Sequence, residues 1–289
     1  MLKIITAIAA LAFVASASAS PTSTTWTFNN SDFNSETDVL VAGTNLSSGS
    51  DYHSIAMTNN GIEMTMTAWS DSAPIDTNSS DTDRYDGNVV SADLYYWGAN
   101  SGFGVVNNDE SSSNSPEHAI DNYSAAGAQW SDQDMVLLSF SQNVTLEQIN
   151  IGWQNTHGNG NDTLDFGVVA ISNTQRNAMG SGAAWSDIYS LADMYKNTTP
   201  QASSNNGVDQ YYALNGVTGE SQHWLVGLYN EMANCDYDSF KLLGVTAKLA
   251  SGSDAVVDVP EPTSIALFAV GLGLMYRNRK KQGQFKLNV

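Results

Sequence analysis

Gly61-Ile62-Glu63-Met64-Thr65-Met66-Thr67-Ala68-Trp69 is the stretch on which the fold turns. Ile62, Met64, Met66 and Ala68 recur at every second position, and Glu63, Thr65, Thr67 and Trp69 fill the positions between. A period of two is the signature of a strand with one face on a core and the other toward solvent. Working outward, strands are expected near residues 24–28, 89–96, 103–106, 135–140, 145–153, 164–172, 224–229 and 240–249. The segments between them are rich in Ser, Thr, Asn, Asp and Gly, the residues of turns. Amphipathic crossover helices are missing, so the predicted fold is all-β, an antiparallel β-sandwich of jelly-roll type. One short inserted helix is expected over residues 185–195, where Ile188, Leu191, Ala192 and Tyr195 fall at helical spacing.

The first nineteen residues read as a secretory signal: Lys3, an apolar run from Ile4 to about Val14, and small residues that place cleavage between Ala19 and Ser20. The body is then residues 20–249, followed by a polar linker over 250–258. A single cysteine, Cys235, excludes a disulfide-stapled scaffold and leaves a free or intermolecular thiol. Between residues 20 and 259 there are 29 acidic residues against five basic ones, a charge of −24 within the −19 of the whole chain. Such a surface excludes nucleic acid as a partner, because phosphates need cations to neutralise them.

Two acidic loops are calcium candidates, since a hard cation takes six to eight oxygen ligands. The first offers Asp76, Asn78, Asp81, Asp83 and Asp86, but without the glycine that an EF-hand turn requires. The second, Asn161, Asp162 and Asp165, follows a glycine-rich turn one residue away from the calcium nonapeptide, which works only when repeated. Apart from calcium, no cofactor is expected. Trp69, Trp97 and Trp130 are candidates for stacking on sugar rings, although tryptophans in such a fold mostly pack at the core edge. No H-E-x-x-H, G-x-S-x-G or P-loop is present, and Cys235 has no cationic neighbour in sequence. The expectation is a protein that is not an enzyme.

The C-terminal stretch has a distinct logic. Val259-Pro260-Glu261-Pro262 holds extended backbone, because each proline fixes its own φ and restricts the residue before it. Residues 263–276 follow as an apolar helix of roughly 21 Å, short against a hydrocarbon core of about 30 Å. Arg277, Arg279, Lys280 and Lys281 then favour the cytoplasmic side, and residues 282–289 form a short tail. This combination resembles the PEP-CTERM sorting signal of Gram-negative bacteria. The resemblance implies an exosortase as partner, processing at the Pro-Glu-Pro site, transient insertion in the inner membrane, and a surface or matrix destination linked to exopolysaccharide or biofilm.

The body is similar to the exosortase-dependent surface proteins of type one. The matching stretches are Phe103-Gly104-Val105-Val106-Asn107, Glu117-His118-Ala119-Ile120-Asp121-Asn122, Ile151-Gly152-Trp153 and Asp238-Ser239-Phe240-Lys241-Leu242-Leu243, among others. That likeness implies no catalytic residue. The reading is an exported, non-enzymatic surface or matrix protein; the alternative is a carbohydrate-binding sandwich adhesin, calcium-stabilised, whose partner is extracellular polysaccharide.

Overall fold

The computed structural model describes residues 23–28, 46–73, 88–107, 118–121, 133–155, 164–197, 204–228 and 238–250. The chain divides into two units, Met1–Ser251 and Gly252–Val289, and the described residues all lie in the first. They form thirteen strands: β1 (Ser23–Thr27), β2 (Ser50–Tyr52), β3 (Ile55–Asn59), β4 (Ile62–Ala73), β5 (Asn88–Tyr96), β6 (Phe103–Val106), β7 (Ile120–Asp121), β8 (Asp134–Asn155), β9 (Phe166–Ile171), β10 (Tyr195–Lys196), β11 (Ser204–Ala213), β12 (Ser221–Leu228) and β13 (Ser239–Leu249). The all-β expectation holds. Six anticipated strands stand within a few residues of their places, as β1, β5, β6, β9, β12 and β13.

The opening stretch is the centre of β4. Ile62, Met64, Met66 and Ala68 are all buried, while Glu63 is exposed and Thr65, Thr67 and Trp69 are half-buried. Its partner β3 precedes it through a two-residue turn, Asn60-Gly61, with φ of 50° and 74°. Positive φ at both positions matches the twist of a hairpin, and Asn-Gly tolerates it best. That turn signal was present in the sequence, and it places β3 where no strand was expected.

The two strands expected at 135–140 and 145–153 are a single strand of 22 residues, β8. Its first arm pairs with β4 on one edge and β12 on the other; its second arm pairs with β13 and β11 in the same way. Between the arms lies Ser141-Gln142-Asn143, a polar interval where β12 shifts register against β8. Such an irregularity bends a strand without ending it. The pairings β13–β6, β6–β5, β5–β4, β4–β8 and β8–β13 therefore run in a closed ring. Where two separate sheets were expected, one continuous sheet wraps the core.

The first arm of β8 is buried on both faces from Met135 to Leu138, and beyond it Ser139 is half-buried and Phe140 buried. Val136, Leu138 and Phe140 belong to the main core with Trp26, Met64, Met66, Phe166 and Trp224. Met135 and Leu137 belong to a second cluster with Val89, Val169, Leu225, Trp185 and Ile188. A continuous apolar run is what a strand covered on both sides requires. The outer cover is the segment between β9 and β10, and here the single expected helix is corrected. A short helix that was not expected, α1 (Asn173–Ala178), comes first, and residues 185–195 hold only a second, α2 (Trp185–Ile188), a 3-10 turn, Leu191–Asp193, and the start of β10 at Tyr195. Ser172 and Gln175 form a reciprocal capping box at the start of α1. Tyr189 adopts φ −145° and ψ 161°, ending α2, and Ser190 Oγ then accepts from the Ala192 amide. These local bonds outcompete the longer helix that the spacing alone suggested.

Candidate functional site

Four of the sequence stretches behind the surface-protein resemblance meet on one side of β13. Lys241 lies directly across from Trp153 of β8, and Ser239, two residues earlier, lies across from Asp121 of β7. Residues two apart on a strand share a face, so Lys241, Ser239, Trp153 and Asp121 project together. The turn between β5 and β6 brings Trp97 onto the same spot. Lys241 Nζ sits 3.4 Å from the centroid of Trp97 and 4.2 Å from that of Trp153. Tyr95 lies 4.9 Å from Trp97 and 4.5 Å from His118, and the Trp97 indole N–H donates to the His118 carbonyl at 2.5 Å.

Close backbone approaches build this arrangement. A Cβ at Gly104 would strike the His118 carbonyl, one at Gly102 the Leu242 carbonyl, and one at Gly152 the carbonyls of Asn100 and Ser101. Only glycine fits where two backbones touch. Among the described residues Lys241 is the only buried basic side chain, at 5% exposure. Burial pushes its amine down to about 7, partly offset by the Asp121 carboxylate. The negative faces of the two rings act in the same direction as Asp121. Chemically this is a lysine amine held between two indoles, tying β5, β8 and β13 together.

The sugar-stacking candidates fare differently. Trp97 spends a ring face on Lys241. Trp69 is half-buried at the edge of the second cluster, donates to Thr67 Oγ1 at 3.0 Å, and lies against Gly180. Trp130 lies outside the described residues. An open cleft of about 460 Å³ was not anticipated; its walls include Asp193, Tyr195, Val217 and Thr218. A buried polar network stands at the start of β8: the Gln133 amide donates to Asp71 Oδ1 at 2.6 Å, Asn107 Nδ2 donates to Asp134 Oδ1 at 3.3 Å, and the Trp185 indole donates to the Gln133 carbonyl. It fastens the helical cover and the end of β6 onto β8.

Of the calcium candidates, Asp76, Asn78, Asp81, Asp83, Asp86, Asn161 and Asp162 lie outside the described residues. Asp165 has a carboxylate oxygen 3.6 Å from Lys196 Nζ, and its amide donates to Asp238 Oδ2 at 2.7 Å. Among the described residues no group of three or more His, Cys, Asp or Glu could hold a metal.

Also outside them are Ala19, Ser20, the sorting residues Val259, Pro260, Glu261 and Pro262, the helix expected over 263–276, and the basic cluster from Arg277 to Lys281. No described helix is long and apolar enough to cross a membrane.

The fold thus defines a β-rich body, closed by one bent strand, that precedes a short terminal signal in sequence. Residues 258–280 match the family model of the PEP-CTERM protein-sorting motif, so the chain carries that sorting signal. No curated protein and no solved structure matches the chain.

Proposed function

We propose that this protein is exported, held at the inner membrane by its C-terminal segment, processed by an exosortase at Pro260-Glu261-Pro262, and displayed at the cell surface or in the matrix. The observation that carries this reading is the PEP-CTERM motif at residues 258–280, following a body whose β-rich fold needs no disulfide. In this reading the closed sheet is the sandwich-like body of the type-one surface group, and the surrounding exopolysaccharide is its environment. Deleting residues 260–262 should leave a longer, membrane-retained form in cell fractions. Normal maturation of the deleted form would defeat the proposal.

A second reading is favoured by the cleft beside Tyr195. Its volume falls in the range of small-ligand sites, roughly 300–1,000 Å³, and Tyr195, Asp193 and Thr218 offer an aromatic face and polar groups suited to a sugar. Binding on a glycan array, lost on Tyr195→Ala, supports carbohydrate recognition there; no binding at millimolar sugar removes it. The companion proposal is calcium held by the acidic loops. Millimolar calcium should then raise Tm and chelator reverse it, whereas an unmoved transition ends that proposal.

A further inference from the structure

Ser139, His223 and Asn173 come from three separate parts of the chain and stand in one hydrogen-bonded row. Ser139 of β8 pairs directly with His223 of β12, which pairs in turn with Ile171 of β9. Asn173 opens α1 two residues beyond Ile171, its backbone set by the Ser172 capping box. His223 Nε2 is 2.8 Å from Asn173 Oδ1, and His223 Nδ1 is 2.9 Å from Ser139 Oγ. An amide oxygen can only accept, so Nε2 carries the ring proton and Nδ1 is left with a lone pair. The Ser139 hydroxyl therefore donates to Nδ1. Burial, followed by the charge of Arg176, holds the imidazole below its ordinary value of 6.5, which keeps it a neutral base near pH 7.

We infer that Ser139 is a nucleophile toward carboxylic esters, with His223 as its general base and Asn173 as the positioning residue that fixes the histidine tautomer. A nucleophile bonded to a base that is itself oriented by a third group is the arrangement that activates a hydroxyl. The expectation of a chain without catalytic chemistry rested on linear motifs, and this row has none. Ser139 and His223 are half-buried and Asn173 exposed, so the row lies on an accessible sheet face. An ester carried on an extended chain suits such a face better than a small enclosed substrate.

In the reaction, the Ser139 proton passes to Nδ1 as Oγ bonds the ester carbonyl carbon. The carbon–oxygen bond to the alcohol then breaks, and the alcohol leaves with the proton from Nδ1. Water, deprotonated by the same nitrogen, then bonds the acyl carbon, the carbon–Oγ bond breaks to release the acid, and Oγ takes the proton back from Nδ1. Thr65 lies directly across from Ser139 on β4, on the same face, so a second hydroxyl neighbours Ser139, and the charge of Arg176 is felt at His223.

The test is covalent labelling of the exported protein with a fluorophosphonate, in which an Oγ–P bond forms and fluoride leaves. The adduct should map to Ser139 in folded protein, be absent from Ser139→Ala and from heat-unfolded protein, and form about a hundredfold more slowly in His223→Gln. Asn173→Asp, which keeps the acceptor, should retain labelling, and Asn173→Leu should lose most of it at unchanged Tm. Hydrolysis of a p-nitrophenyl ester should follow the same order. No adduct at Ser139, equal labelling of unfolded protein, or an undiminished rate in folded His223→Gln would each overturn the inference. The folded and unfolded wild-type comparison decides the matter even if a variant does not fold.

Discussion

At the scale of single residues, Lys241 is a basic group held at 5% exposure, and its burial carries a cost. Its amine is held at about 7 against 10.5, so between those values the unfolded chain binds a proton that the folded chain does not. Stability from this residue therefore rises with pH across that window, and the full penalty is present below it. Unfolding free energies from urea titrations at pH 6, 8 and 10 should climb for the wild type relative to Lys241→Met, by at most about 5 kcal/mol. Parallel profiles would show that the ring faces and Asp121 compensate burial completely. Two glycines separate space from conformation. Gly104→Ala forces a Cβ onto the His118 carbonyl and should cost about 1–3 kcal/mol as overpacking does. Gly61→Ala meets no atom within 4 Å, and should cost about 1 kcal/mol for its positive φ alone. Denaturant unfolding of both variants checks the ranking.

Among the elements, β8 and its cover organise the body. Trp185 is 2% exposed, fills the second cluster and donates to the Gln133 carbonyl. Trp185→Ala should cost about 3–5 kcal/mol and open the outer face of β8, seen as faster amide exchange at Met135 and Leu137; unchanged exchange would mean the helices are not its cover. The sequence made β4 legible because alternation is a local property that survives into the fold. It also contained the Asn60-Gly61 turn and the double-sided run from Met135 to Leu138, signals that point to β3 and to the covered arm. Other elements had no local signal. β11 contains Ser-Asn-Asn-Gly in a segment that reads as loop, and it is a strand through backbone pairing to β8. Likewise, the 22-residue length of β8 is set by different neighbours on its two arms, so its polar middle read as a break.

For the whole molecule, the terminal signal was readable because its features are consecutive, whereas sites of the body are assembled from distant strands. Lys241 and Trp153 are 88 positions apart, and the Ser139, His223 and Asn173 row draws on three elements, so neither could be found by spacing. In the proposed function the acidic body is the part that is exported, and the basic terminal cluster is the part that holds the chain until processing. The most direct test is the intact mass of the mature protein from cells with and without the exosortase. The account predicts a chain starting near Ser20 and ending within the Val259 to Pro262 region when the enzyme is present, and one retaining Arg277 to Lys281 when it is absent. A mature protein that keeps its basic C-terminus in exosortase-proficient cells would contradict it.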